Sequence, residues 1–247
     1  MSNIMKNNFT IGYVATAISP YFSEEYKVRE NSELNLKKIL KNYDVELLSY
    51  KKTVFTKEDS EDAANFFKDK IDFLLLQTSS CSAGDQLYPL CNITKKMGLW
   101  AVPDIEKEGD VKLHSLVSVS HYLGIIKKTL SDKKIKTKWF YNYADTDEFK
   151  NKFLVTIKSL IAQKKLQQSR IGLIGGISPG FDNMLVDNDK IKENIGTIID
   201  EATIEELVDK AKNFNQSIID EEIKKIKNVA SDITVSNEDS FNRVTRV

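Results

Sequence analysis

The sequence predicts an α/β protein of two domains, each built on a parallel sheet. Short apolar runs alternate with longer segments of helical periodicity, and no internal repeat interrupts the alternation. One of the runs, Ile71–Thr78, is apolar almost throughout, which is typical of a strand covered by helices on both faces. Alternating strands and helices favour right-handed crossovers, so both domains are expected to be Rossmann-like, or flavodoxin-like.

We place the first domain at residues 1–130. Its strands are predicted at Phe9–Thr16, Val45–Tyr50, Ile71–Thr78 and Leu99–Pro103. Its helices are predicted at Tyr21–Asn42, Ser60–Asp69, Leu87–Lys96 and Leu113–Leu130. Pro103 ends the fourth strand because proline cannot donate a hydrogen bond to a sheet.

The second domain is placed at residues 131–236. Its strands are predicted at Lys138–Tyr143, Arg170–Gly175 and Gly196–Ile199, and its helices at Thr146–Lys165, Ile204–Asn213 and Gln216–Val229. The run Arg170–Gly175 is expected to be a buried strand, because its residues are mainly apolar.

The last segment, residues 237–247, is expected to begin a helix. Ser236 supplies a hydroxyl cap, and Phe241, Val244 and Val247 share one helical face. We expect that apolar face to be uncovered, so that it frays or contacts another chain. The pattern suggests a truncated sequence.

Charge and cysteine content restrict the class of protein. There are 36 basic and 36 acidic residues, so a nucleic-acid partner or an anionic membrane is not expected. Two cysteines are too few for a disulfide scaffold, and the N-terminus has no secretory signal, which favours the cytoplasm. No apolar run is long enough to span a bilayer.

Two loops are candidates for ligand binding because both follow strands of the predicted parallel sheet, where ligands bind at the carboxyl edge. Their candidate substrate-binding residues are Ser19, Tyr21, Ser79, Cys81 and Gln86. Hydroxyl and amide groups there could bind sugar hydroxyls. The alternatives are a helix N-cap region after the third strand and a plain βα turn after the first.

Other motifs in the sequence are weaker evidence of a function. The glycine-rich run Gly172–Phe181 lacks the G-x-G-x-x-G spacing and a following lysine, so it favours a structural turn over a nucleotide site. Cys81 has no histidine near it in sequence to activate a thiolate. His114 and His121 are expected to be ordinary residues of one helix, and no metal-binding motif is present.

Taken in order, these segments resemble the N-terminal and central domains of the L-fucose/L-arabinose isomerase family, including its fucose isomerase-like branch. The resemblance covers nearly the whole chain. It is carried by IGYVATAISPYF, DFLLLQTSSCSAGDQLYPL, LWAVPDIEKEGDVKLHSLVSVSHYLG, KWFYNY and RIGLIGGISPGFDNMLVDNDKIKENIGTIIDEATIEELVDKA. The most specific part is Arg170–Asp209.

The resemblance implies aldose–ketose isomerisation, with a divalent metal, usually Mn²⁺, as Lewis acid and a carboxylate as base. The family's metal ligands come from a later part of the polypeptide, so no cofactor and no catalytic residue is expected in this chain. A homo-oligomer is implied, in which the loops at Thr16–Tyr21 and Ser79–Gln86 reach a neighbouring subunit's active site. The alternatives are a non-catalytic sugar-binding or regulatory module and, last, a nucleotide-binding α/β enzyme.

Overall fold

The computed structural model describes residues 9–19, 21–106, 108–232, 234 and 237–245. The chain divides into two compact units, one that runs to Ser159 and one that begins at Leu160, here called the N-terminal unit and the C-terminal unit. Strands and helices alternate along the chain, so the predicted α/β class is confirmed.

The N-terminal unit contains a five-stranded parallel sheet. Its strands are β1 (Phe9–Thr16), β2 (Val45–Val54), β3 (Phe73–Thr78), β4 (Lys96–Ala101) and β5 (Lys136–Tyr141). They lie in the order β2-β1-β3-β4-β5, which is the flavodoxin-like order. Every residue of β3 is buried, as its apolar composition predicts for the centre of such a sheet.

The position of β5 corrects the predicted organisation. The sequence places this strand at the start of the second domain, whereas the structure pairs it with β4, with Trp100 opposite Phe140. The aromatic side chains of Trp100, Phe140, Phe149 and Phe153 form one cluster with ring centroids 4.5–5.9 Å apart. This cluster ties β5 to the first sheet, so the N-terminal unit extends well beyond residue 130.

Five helices flank or follow this sheet: α1 (Val28–Leu40), α2 (Lys57–Phe67), α3 (Leu87–Leu90), α4 (Ser115–Lys128) and α5 (Asp147–Gln168). The helix α2 begins with a capping box between Thr56 and Asp59. Two helices start later than predicted, because Lys27 (φ 49°) and His114 (φ 54°) adopt the left-handed conformation just before them. The loops before α1 and α4 are therefore longer than the sequence pattern indicated.

The C-terminal unit contains a two-stranded parallel sheet of β6 (Arg170–Ile174) and β7 (Ile198–Ala202). Its helices are α6 (Asn188–Asn194), α7 (Ile204–Lys212), α8 (Gln216–Val229) and α9 (Glu238–Thr245). The expectation that the first of these strands is buried is wrong, since Ile171 and Ile174 are 54% and 48% exposed. A two-stranded sheet has too few neighbouring elements to cover both of its faces.

The C-terminal helix differs from expectation in its burial. Phe241 is only 8% exposed, and the Lys227 ammonium of α8 lies 5.8 Å from its ring centroid. The predicted uncovered face is therefore wrong for Phe241, whereas Val244 is 70% exposed. Ser236 and Val247, the other residues of that prediction, lie outside the described residues. Within the described part of the chain, no helix has both the length and the apolar composition that crossing a membrane would require.

Candidate functional site

The loops that follow β1, β3, β4 and β5 meet at the carboxyl edge of the five-stranded sheet. Neighbouring loops are joined by hydrogen bonds: Ser79 N–H donates to the Thr16 carbonyl (2.8 Å), and Cys81 N–H donates to the Leu113 carbonyl (2.6 Å). Tyr143 Oη donates to the Pro103 carbonyl (2.9 Å). This edge is where open parallel sheets bind ligands, so it is the candidate site of the N-terminal unit.

A layer of buried hydroxyl and amide groups supports these loops from below. Gln77 on β3 accepts a hydrogen bond from Tyr13 Oη on β1 and donates to Ser32 Oγ on α1 (2.8 Å). Burial raises the pKa of Tyr13 far above its usual value, so the phenol stays neutral. Buried polar groups need such partners, and here each bond joins two different elements of the fold.

Gln86, one of the predicted substrate-binding residues, belongs to this supporting layer. Its side chain is fully buried, and its amide donates to the carbonyls of Ala17 (2.9 Å) and Phe55 (2.7 Å). Its amide oxygen accepts from Ala83 N–H (3.1 Å) and Tyr122 Oη (3.3 Å). The amide thus binds loop backbone and a tyrosine of α4, and none of its surface faces solvent.

Ser79 is also fully buried, and its hydroxyl donates to Gln77 Oε1 (3.1 Å). The three other predicted residues are accessible, because Ser19 is exposed and Tyr21 and Cys81 are half-buried. The predicted set is therefore split: Ser19, Tyr21 and Cys81 lie in surface loops at the carboxyl edge, whereas Ser79 and Gln86 lie beneath it.

His114 also lies at this edge, although the sequence pattern did not predict it there. The structure corrects its placement: His114 precedes α4 instead of lying inside a helix, and its ring meets Tyr21 edge-on at 5.4 Å. The Asp104 carboxylate accepts hydrogen bonds from the N–H groups of Lys112 (2.7 Å), Leu113 (2.8 Å) and His114 (3.3 Å). An aspartate that caps three successive amides holds this loop in place.

A cavity of about 500 Å³ opens at the same edge, beside the first turns of α1. That size is within the ~300–1,000 Å³ of small-molecule sites. The loops before α1, after β4 and after β5 complete its wall. The lining residues are Tyr26, Val28, Asn31, Ser32, Leu34, Asn35, Ile105, Tyr143, Ala144 and Asp145.

The cavity combines hydrogen-bonding groups with apolar walls. Asn31 and Asn35 offer amides on successive turns of α1, and Asp145 offers the only carboxylate among the lining residues. Burial, together with the nearby Asp104 carboxylate, raises the pKa of Tyr143 to about 12, so the phenol remains a neutral hydrogen-bonding group even well above physiological pH. None of the lining residues is a lysine or arginine, so this cavity suits neutral or cationic groups and disfavours anions.

None of the five predicted residues lines this cavity. Its polar residues lie in α1, in the loop before α1 (Tyr26) and in the loop after β5. The sequence pattern placed β5 in the second domain and therefore did not predict that the loop after β5 lies at this edge. The spacing of Asn31 and Asn35 is the one local signal, since residues four apart share a helix face.

The glycine-rich loop of the C-terminal unit forms part of a separate cavity of about 470 Å³. Gly175 (φ 75°) and Gly176 (φ 70°) turn the chain away from β6. Three carboxylates, those of Glu201, Glu205 and Glu206, line the same cavity. Like charges repel phosphate, so this arrangement argues against a nucleotide site there.

Within the described residues, no three His, Cys, Asp or Glu side chains are grouped so that they could hold a metal ion. In comparisons with known proteins, no protein-family model and no curated protein matches the chain.

Proposed function

We propose that the N-terminal unit binds a small hydroxylated molecule, of the class of simple sugars, at the carboxyl edge of its sheet. The observation that supports this is the cavity beside α1, where two amides, one carboxylate and neutral hydroxyls lie among apolar walls. Sugars present hydroxyls at their rims and C–H groups on their faces, so such a site offers a partner to each.

The resemblance to L-fucose/L-arabinose isomerases gives this binding a role. The chain would be the sugar-recognition portion of an aldose–ketose isomerase, and the metal and the catalytic carboxylates would come from the later part of the family's polypeptide. The residues of this chain would bind and orient the sugar. The Asp145 carboxylate would accept hydrogen bonds from its hydroxyls, and the Asn35 amide would donate or accept them. The Mn²⁺ of the family would act as a Lewis acid on the sugar's oxygens.

Binding is tested by calorimetric or NMR titration with L-fucose and L-arabinose in the absence of metal. Replacing Asn35 or Asp145 by alanine should weaken binding about tenfold, because each removes a hydrogen bond, or a charge-assisted one, worth ~1–2 kcal/mol. Asn65→Ala is the matched control, since Asn65 is exposed on α2 and does not line the cavity. Equal affinity in all three variants, or no saturable binding, would contradict the proposal.

The isomerase role is tested separately with Mn²⁺ present. We expect this chain to bind the sugar without converting it, because the resemblance assigns the metal ligands to a later part of the family's sequence. Metal-dependent turnover by this chain alone would contradict that assignment of roles.

A second function, a non-catalytic sugar-binding or regulatory module, is favoured by one observation. Two of the five residues predicted to reach a neighbour's active site, Ser79 and Gln86, are fully buried and bonded within their own unit. Adding a family C-terminal half separates the two functions: Mn²⁺-dependent turnover supports the isomerase role, and sugar binding without turnover supports the module.

We also propose that the chain forms a homo-oligomer, as the resemblance implies. Exposed apolar side chains in the C-terminal unit support this, among them Phe181, Met184 and Leu185 in one loop, which are 53–69% exposed. Light scattering after size-exclusion chromatography gives the mass directly. A monomer at micromolar concentration would contradict this part of the proposal.

A further inference from the structure

The cavity beside α1 adjoins a second one, and the two together are called the groove. Asn35, Ala144 and Asp145 line both cavities and mark the junction between them. The second cavity, of about 470 Å³, lies between the later turns of α1 and the first turns of α5. A ligand larger than a simple sugar can therefore reach lining residues of both cavities.

The two halves of the groove differ in charge. No basic side chain lines the first half, whereas Lys38 of α1 and Lys150 of α5 line the second. Among the described residues, both ammonium groups have only long polar contacts: Lys38 Nζ is 3.4 Å from Asn35 Oδ1, and Lys150 Nζ is 3.4 Å from Asp147 Oδ1. The Asp147 side chain is 89% exposed, so water screens that ion pair and the lysine can bind another anion.

We propose that the natural ligand is a hydroxylated molecule with an oxyanion substituent, such as a phosphate or sulfate ester. Its uncharged body lies in the first half of the groove, and its oxyanion is held between Lys38 and Lys150. This inference rests on the proposed function, because it assumes that the first half binds the hydroxylated body.

Asp145 gives the ligand its orientation. Its carboxylate lies at the junction and has no ion-pair partner among the described residues. Its repulsion of an anion is not offset by any basic lining residue in the first half, whereas Lys38 and Lys150 offset it in the second. The same carboxylate accepts hydrogen bonds from hydroxyl groups. A ligand with its oxyanion at one end can thus lie in the groove in only one direction.

The test compares sugars with their phosphate esters by calorimetry: L-fucose with L-fucose 1-phosphate, and D-glucose with its 1- and 6-phosphates. At least one ester should bind about tenfold or more tightly than its parent sugar at low salt, since each lysine adds about fivefold. This preference should shrink as the Debye length falls from ~30 Å at 0.01 M salt to ~3 Å at 1 M.

Substitutions then locate the oxyanion. The double variant Lys38→Gln/Lys150→Gln should lose the preference for the ester and keep the affinity for the parent sugar. Lys37→Gln is the matched control, because Lys37 lies on the same helix, pairs with Glu33 (2.6 Å) and lines neither half of the groove. Asp145→Asn should tighten the binding of the ester relative to the parent sugar.

Equal affinities for esters and parent sugars, with no effect of the lysine substitutions, would overturn this inference and leave the proposed sugar binding standing. Failure of both sugars and esters to bind would overturn both. A preference for esters that survives in the double variant would place the oxyanion elsewhere and would also overturn the inference.

Discussion

Replacing Gln86 by alanine should strongly destabilise the N-terminal unit. The side chain is fully buried, and its amide makes close hydrogen bonds to Ala17 O (2.9 Å), Phe55 O (2.7 Å) and Ala83 N (3.1 Å). Truncation removes the amide, leaves these three backbone groups without it and creates a void of several atoms. A buried polar group that loses its hydrogen-bond partner costs ~1–3 kcal/mol. Water will reach some of the three groups, so we expect the free energy of unfolding to fall by about 3–5 kcal/mol.

The assay is urea unfolding followed by tryptophan fluorescence. Both tryptophans of the chain, Trp100 and Trp139, lie in the N-terminal unit, so the signal reports that unit alone. Asn65→Ala, on an exposed position of α2, serves as the control and should change the unfolding free energy by less than ~0.5 kcal/mol.

A second substitution separates lost hydrogen bonds from the void. Gln86→Glu keeps the shape of the side chain but sets a carboxylate against two carbonyl oxygens, which raises the pKa of the new group in the folded state. Stability relative to the parent should therefore be best at acidic pH, where the carboxyl is protonated, and should fall as pH rises through that pKa. The supporting role assigned to Gln86 is wrong if the unfolding free energy of Gln86→Ala lies within about 1 kcal/mol of the parent's and the variant no longer binds ligand.

Three further predictions concern other residues of the same unit. At pH 8 Cys81 should react with a disulfide reagent, whereas Cys91 should stay unreactive until the chain unfolds. The reason is that Cys91 is 1% exposed and that burial raises its pKa to about 11. Rapid reaction of both thiols in the folded protein would contradict this. Tyr143, whose pKa is raised to about 12, should ionise about two pH units above a free tyrosine. Its contribution to stability should therefore be complete below pH ~10 and be lost as the pH rises through about 12. The difference between ultraviolet titrations of the parent and of Tyr143→Phe gives the absorbance change of this phenol. Gly98→Ala should destabilise the protein by ~1–3 kcal/mol, because the added Cβ would lie 2.6 Å from the Phe73 ring. Gly124→Ala in α4 should stabilise it by ~0.5–1 kcal/mol, because the added Cβ meets no atom within 4 Å. Shifts of the denaturation midpoint in the same direction for both variants would refute this contrast.

The local sequence pattern predicted most of the strands and helices, although it did not predict α6 (Asn188–Asn194). Alternation of short apolar runs with helical segments predicted β1 with its observed bounds and located each strand of the five-stranded sheet to within a few residues. It was less reliable at helix starts, because the left-handed residues Lys27 and His114 delay α1 and α4. Neither residue is a glycine, so their residue types did not predict a left-handed conformation.

The candidate site depended on contacts that are distant in sequence. Gln86 was predicted to face a ligand because it follows a strand, yet its partners Phe55 and Ala17 lie 31 and 69 residues earlier in the chain. Burial of a polar side chain is decided by which other segments fold over it, and periodicity carries no information on that point.

The sequence by itself determined the α/β class, because that class follows from the short-range alternation of strands and helices. The same alternation predicts ligand binding at the carboxyl edge of the sheet. Only the tertiary structure decided that β5 joins the first sheet, since a parallel strand is chosen by pairing and packing across the fold. That choice brings Tyr143 and Asp145 beside Asn31 and Asn35 and so creates the cavity at the sheet edge. Strand identity is local, whereas strand partnership and the site that it builds are properties of the whole unit.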